Sequence, residues 1–293
     1  MMTSSPVRQF DETSITAAVL AKVGQGKDAR TRQISEALVR HLHAFIREVE
    51  PTQDEWVQGI QFLTRVGHMC DQHRQEFILL SDTLGASMLV DAINHRGDSA
   101  ATLSTVLGPF YVDEPPQYPH GADVGGLLKG MPLLVEGSVS GADGKPLAGA
   151  IVDIWHADEA GFYDVQQLDR LGELNGRARF QTGPDGRFHF WTVKPSSYPI
   201  PDDGPVGDML RAQGRHPYRP AHVHFMIAAP GHAKLVTHVF ERGDSYLDSD
   251  VVFGVKDDLI ADYERRPAGE TVYGRKMDSD YARLTYDFRL AAG

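Results

Sequence analysis

From residue 29 to about residue 95 the apolar positions fall three and four apart, as in Ile34, Leu38, Leu42, Phe45 and Val49, then Trp56, Ile60, Leu63 and Val66. That spacing puts them on one face of amphipathic helices. Pro51 and Thr52 interrupt the run, and Thr52 with Glu55 fits a capping box, in which each side chain satisfies an orphan amide at the next helix start. A further helix is predicted over residues 85–94. From about Pro132 the period shortens. Residues 134–139 and 151–155 flank the turn-rich G-A-D-G-K-P, and T-G-P-D-G-R joins residues 177–182 to residues 188–193. Further strands are predicted at 222–227, 235–240 and 284–290. The chain therefore reads as α+β, with an N-terminal helical region over residues 1–105 followed by an antiparallel β-sandwich over residues 106–293. No internal repeat is present.

The 293 residues are 41% hydrophobic and 24% charged, enough for one large domain or two smaller ones. A net charge of -11 argues against a nucleic-acid partner, because neutralising phosphates takes a basic surface. Residues 1–20 lack the charged-then-apolar layout of a signal peptide, and no apolar run approaches the ~18 residues of a membrane span, so no membrane insertion is expected. Cys70 is the single cysteine and excludes intrachain disulfides. These features together favour the cytoplasm, and the apolar helical pattern around Cys70 predicts a packed thiol.

Candidate chemistry centres on R-P-A-H-V-H-F, where His222 and His224 run into Phe225, Met226 and Ile227 and so begin a strand. Side chains two apart on a strand point the same way, which gives the two imidazoles a shared target. Zn, Cu, Fe and Ni all accept imidazole, so the remaining ligands choose the metal. A pair of solvent-facing polar residues would have the same pattern. Phenolates would narrow the choice, and Tyr163 and Tyr198 are the candidates. A phenol with a solution pKa near ~10 stays deprotonated only on a strongly Lewis-acidic ion such as iron(III). A cupin-like iron(II) enzyme or a zinc hydrolase would instead want a carboxylate or a third histidine. His156, His189 and His216 read as packed or surface polar groups, and His232 as a turn residue. Asp153 and Trp155 read as builders of the strand that presents Tyr163.

Four segments carry a resemblance. L-G-P-F-Y at 107–111, D-I-W-H-A-D-E-A-G-F-Y-D at 153–164, S-S-Y-P-I-P at 196–201 and Y-R-P-A-H-V-H-F at 218–225 resemble the intradiol ring-cleavage dioxygenases, in that family's order and spacing. The likeness runs over about residues 32–253, and the helical N-terminal region is similar to the catechol branch. It implies a β-sandwich catalytic domain with one non-haem iron(III) per chain, held by Tyr163, Tyr198, His222 and His224. It also implies a reaction that inserts both atoms of O2 between two vicinal ring hydroxyls of a small aromatic diol or triol. The substrate binds as a dianion, and Tyr198 is then both ligand and one of the two bases that accept its protons. Arg219, three residues before His222, is implied to face the negative charge that develops on the substrate.

The resemblance further implies a pocket formed by Leu79 and Asp82, by Val106, Leu107, Gly108, Pro109 and Phe110, and by Ile200, Pro201 and Val252. A carboxylate at Asp82 would accept a hydrogen bond from a third ring hydroxyl, where catechol would leave it unpaired. That favours hydroxyquinol, with catechol or chlorocatechol as the alternative. His238, in T-H-V-F, is implied to belong to the same substrate-binding set and supports hydroxyquinol by standing where catechol-specific members more often carry Gln. Asp82 also fits a second use, as the cap of a helix starting near Leu84. The N-terminal helices are implied to form a homodimer contact with a phospholipid tunnel along it. A non-catalytic sandwich binding module is the reading from another class, since fold does not imply function.

Overall fold

Thr52 and Glu55 close their box as the sequence predicts. The Glu55 carboxylate accepts from Thr52 N at 2.8 Å, and Thr52 Oγ1 accepts from Glu55 N at 3.2 Å. A computed structural model describes residues 9–71, 74–96 and 100–293. The remaining positions, among them the start of the 1–20 stretch and parts of the 1–105 region, lie outside the described residues. Two units divide the chain, the first ending at Thr64 and the second running from Arg65 to Gly293.

The first unit holds α1 (Ile15–Val23), α2 (Ala29–Val49) and most of α3 (Gln53–His68). Asp28 caps α2 through Thr31 N, and Glu50 ends it in the left-handed region at φ 44°. The short helix α1 was not predicted. Its sequence, I-T-A-A-V-L-A-K-V, is apolar on nearly all sides and so has no face to detect. On α2 and α3 the apolar stripe faces outward, with Leu38 64%, Phe45 58% and Trp56 54% exposed. Among the described residues no helix is long and apolar enough to cross a membrane.

The second unit begins with the end of α3. Cys70 lies two residues past that helix and is half-buried, its thiol directed at the Val66 carbonyl, so the packed core thiol expected there is not found. Helices α4 (Glu76–Thr83) and α5 (Ala86–Asn94) follow. The strands come next: β1 (Pro132–Gly141), β2 (Ile151–His156), β3 (Arg177–Gln181), β4 (Arg187–Val193), β5 (Tyr198–Pro199), β6 (Tyr218–Arg219), β7 (His222–Ala228), β8 (Leu235–Glu241), β9 (Ile260–Ala261), β10 (Tyr263–Arg266), β11 (Thr271–Val272), β12 (Arg275–Lys276), β13 (Tyr281–Thr285) and β14 (Phe288–Leu290). Helices α6 (Leu168–Leu171) and α7 (Pro205–Ala212) lie in the connections.

One sheet has the order β10-β13-β1-β14, with β4 also paired to β1, and the other has the order β3-β2-β7-β8-β9. Most pairs are antiparallel, as expected for the sandwich, but β1 runs parallel to β13 and β14, and β8 parallel to β9, so both sheets are mixed. The two turn-rich links do not close hairpins. G-A-D-G-K-P carries the chain from β1 in one sheet to β2 in the other, and T-G-P-D-G-R does the same between β3 and β4.

Strand alternation sorts the side chains. Leu133, Val135, Phe188 and Phe190 from the first sheet pack against Val152, Ile154, Val223, Phe225 and Val239 from the second, all essentially free of water. Each such burial is worth roughly 1.5–3 kcal/mol. The opposite face of the second sheet is polar and also buried. Cross-strand register sets Arg177, Trp155, His224 and His238 in one row across β3, β2, β7 and β8, with His222 two residues along from His224.

Candidate metal centre and substrate pocket

β7 delivers both histidines to that polar face. His222 Nδ1 lies 2.7 Å from the Pro220 carbonyl, which can only accept, so Nδ1 carries the proton and Nε2 presents its lone pair. The loop after β2 brings the first tyrosine. Asp158 folds it by accepting from Ala160 N and Phe162 N, and Gln166 accepts from Tyr163 N. Gly161 is required at the crossing: its φ is +85°, and a Cβ there would stand 2.6 Å from Tyr198 Cβ. Tyr198 comes from the two-residue ribbon β5–β6, where it pairs with Arg219.

Four donor atoms converge. Tyr163 Oη lies 2.9 Å from His224 Nε2, 3.2 Å from Tyr198 Oη and 3.4 Å from His222 Nε2, and the two imidazole Nε2 atoms are 3.1 Å apart. Donors this close could share one first-row metal, whose bonds to imidazole are about 2.0–2.1 Å long. Burial is the largest cause that drives the Tyr163 phenol well above its ordinary pKa, and it raises Tyr198 as well. Either phenolate therefore needs a cation beside it. The donor set fits a hard trivalent ion. His238 offers a third imidazole, with ligand atoms of the three histidines within 4.8 Å of one another. Its Nδ1 is taken by Thr105 Oγ1 at 3.0 Å, however, and both other Nε2 atoms point at Tyr163, so the two-tyrosine set is the better-formed one.

Beside the four donors lies a narrow cavity lined by Leu79, Asp82, Val106, Gly108, Pro109, Phe110, Ile200, Pro201 and Val252, with Tyr198 and Arg219 at its inner end. The sequence-based pocket is thus brought together except at two positions. Leu107 is 39% exposed and is not among the lining residues. His238 is buried behind the histidine pair, packed against both rings, and ties down Thr105 at the root of the pocket loop. Asp82 is not a cap. It sits 3% exposed inside α4, and α5 follows Gly85, its N-cap residue, without a side-chain cap. Burial raises the Asp82 carboxyl, while the Ser87 hydroxyl and the Arg219 cation pull it back down.

Several supporting residues had no sequence signal. Asp250 forms a buried ion pair with Arg219, and Asp164 forms another with Arg177 at 2.6 Å beside Tyr163. Trp155 does more than build β2, since its ring packs on His224. Phe110 stacks on Tyr163 with centroids 4.4 Å apart. The expected bland roles hold elsewhere: His156 is packed between the Ala157 carbonyl and Thr192 Oγ1, and His232 accompanies a turn.

Residues 106–292 match the family described as Dioxygenase, and residues 28–102 match Catechol dioxygenase N terminus. The 6-chlorohydroxyquinol 1,2-dioxygenase of Cupriavidus pinatubonensis is 56% identical over 97% of this chain and 99% of its own. The hydroxyquinol 1,2-dioxygenase of Nocardioides simplex is 48% identical over 98% and 99%. Among solved structures, hydroxyquinol 1,2-dioxygenase from Pseudomonas putida DLL-E4 superposes with a TM-score of 0.89 at 48% identity, covering 96% of this chain and 99% of its own.

Proposed function

The chain belongs to the intradiol ring-cleavage dioxygenases, and from that membership we propose that it opens hydroxyquinol, 1,2,4-trihydroxybenzene, between its vicinal hydroxyls. Both atoms of O2 enter the product, 3-hydroxy-cis,cis-muconate, which tautomerises to maleylacetate. The observation that carries the substrate is Asp82, a carboxylate buried in an otherwise apolar wall. A third ring hydroxyl donates to it, and a ring without one leaves it with the Ser87 hydroxyl alone, one hydrogen bond short at a cost of about 1–3 kcal/mol. The names of the Nocardioides and Pseudomonas relatives agree with this reading. A chlorinated hydroxyquinol is a second reading, favoured by the name of the Cupriavidus relative.

In this reading Tyr163, Tyr198, His222 and His224 hold one iron(III) per chain, supported by their 2.9–3.4 Å spacing. When bound, iron(III) supplies the Lewis acidity that keeps the phenols deprotonated and draws electron density from the ring. Tyr198 Oη takes one of the two protons that the substrate gives up on binding, while Tyr163, His222 and His224 hold their places. Arg219 Nη1, 3.4 Å from His222 Nε2, faces the charge that develops on the substrate. Leu79, Val106, Phe110, Ile200, Pro201 and Val252 exclude water around the ring.

We further propose that residues 1–105 act as the helical region of a homodimer, its outward apolar stripe on α2 and α3 meeting a second copy with a bound phospholipid, and residues 106–293 as the catalytic domain. The cytoplasm is the proposed location, with no nucleic-acid partner. A truncation lacking the residues before Asp82 that stayed monodisperse and dimeric would count against the dimer contact.

The test of the activity is O2 uptake by iron-loaded protein with hydroxyquinol and catechol side by side, after subtraction of hydroxyquinol autoxidation. Strong preference for hydroxyquinol is expected. Preference for catechol overturns the substrate, and uptake with neither overturns the activity. The protein is expected to be red from tyrosinate-to-iron(III) charge transfer, and a colour that survived Tyr163→Phe with Tyr198→Phe would contradict the ligand set.

A further inference from the structure

Arg219 is gripped from behind. Its Nε lies 3.0 Å from Asp250 Oδ1 and its Nη2 3.2 Å from Asp250 Oδ2, with both side chains at most 4% exposed. The carboxylate is held in turn by backbone donors, Gly254 N at 2.9 Å and Val252 N at 3.4 Å. Two of the three guanidinium nitrogens, sharing one edge, are thereby committed to Asp250. The third, Nη1, is left facing the site. A planar fork that meets a carboxylate edge-on has one orientation, whereas an unpaired arginine has many rotamers to lose.

The segment 250–254 is folded for this grip. Phe253 N donates to the Asp250 carbonyl at 3.0 Å, and Phe253 itself sits at φ 59°, a left-handed conformation that a bulky residue adopts only under constraint. Arg215 Nη2 holds the Val251 carbonyl at 2.9 Å. Position 254 is tight for a side chain: a Cβ there would lie 3.0 Å from Arg219 Nη2 and 3.2 Å from Asp250 Oδ2, so the pair would have to give way. Val252 of the same turn lines the substrate cavity, so one short segment shapes the pocket wall and aims the cation at its inner end.

We propose that Asp250 is a positioning residue for ring cleavage, holding the Arg219 fork so that Nη1 alone is presented to the substrate, and that Gly254 is the opening through which the two side chains meet. The inference rests on the role of Arg219 proposed above. A counter-ion that merely neutralised a buried charge would affect stability, and its loss would add independently to the loss of Arg219 function.

The test is a double-mutant cycle on the iron-loaded full chain with hydroxyquinol, reading kcat and KM separately, with iron content and the visible charge-transfer band measured on the same samples. Asp250→Asn is expected to lower kcat about 10- to 100-fold, the range for loss of a supporting contact behind a functional group, with a smaller change in KM and an unaltered band. Arg219→Lys lowers kcat as well, and the double variant is no slower than Arg219→Lys alone. Gly254→Ala, which crowds the pair from the backbone side, lowers kcat in the same direction by about 3- to 10-fold. Losses that multiply in the double variant, or wild-type kcat in Asp250→Asn, overturn the proposal while leaving Arg219 its role. Wild-type kcat in Arg219→Lys overturns both. Should Asp250→Asn fail to fold, the Gly254→Ala and Arg219→Lys cycle decides by the same criterion.

Discussion

The indole of Trp155 lies flat on the imidazole of His224, with ring centroids 4.5 Å apart and planes 16° from parallel. The two are direct cross-strand partners on β2 and β7. His222 has a carbonyl to fix its ring, but His224 Nδ1 has no protein partner among the described residues, so the indole sets that ring's plane. Trp155→Leu is expected to weaken iron retention about 10-fold and to shift the charge-transfer band. Iron content after dialysis against a chelator checks this, and full retention with an unchanged band would contradict it.

Asp82 is expected to trade stability for selectivity. Asp82→Asn should reduce the hydroxyquinol-to-catechol ratio of kcat/KM about 10- to 100-fold, equivalent to about 1.5–3 kcal/mol. Its folded pKa is raised above the unfolded 3.8, so the carboxylate burdens the fold at neutral pH and ceases to do so below that value. The amide variant should therefore be the more stable near pH 7, with the difference shrinking toward pH 4. Urea midpoints of the metal-free proteins at both pH values would show it.

Arg177 and Asp164 form a bidentate pair at 2.9 and 2.6 Å, each 1% exposed, immediately beside Tyr163. Arg177→Met strands a buried carboxylate and should cost about 3–5 kcal/mol. Adding Asp164→Leu should restore most of that stability without restoring the iron centre, because the Tyr163 loop has lost its anchor. Denaturation midpoints and iron content are measured together. Recovery of iron content along with stability in the double variant would show that the pair serves the fold alone.

Burial and the neighbouring Arg219 push the His222 pKa from 6.5 down to about 3 in the metal-free protein. Between those values the unfolded chain binds a proton that the folded chain refuses. Stability present above pH 6.5 is thus lost as pH falls through this window, by up to about 1.4 kcal/mol per unit for this group. His222→Gln should flatten the decline between pH 7 and pH 5 in urea titrations. An identical slope would mean that other groups set the acid sensitivity.

Much of the site was legible because strand geometry is local. The H-V-H spacing alone puts His222 and His224 on one face, and the Thr52–Glu55 box follows from four residues. What escaped prediction depends on partners far along the chain. Asp250 meets Arg219 from 31 residues away, and Trp155 meets His224 only through the β2–β7 register. G-A-D-G-K-P and T-G-P-D-G-R carry ordinary turn chemistry, which is the same whether a link closes a hairpin or crosses between sheets. Asp82 fits a cap in the sequence because S-D before a helix commonly is one, and only the surrounding fold shows that it lies inside α4.

Strand β7 serves two masters on its two faces, with Val223, Phe225 and Ile227 in the apolar interior and His222 and His224 among the proposed metal donors. A slip of one residue exchanges the sets completely, burying two imidazoles in oil and offering the ion two hydrocarbons. No intermediate misthreading would leave a weakened but serviceable centre. With the proposed iron(III) bound, the coloured fraction of a refolding mixture would therefore count correctly threaded molecules, and the ion would proofread the fold from within.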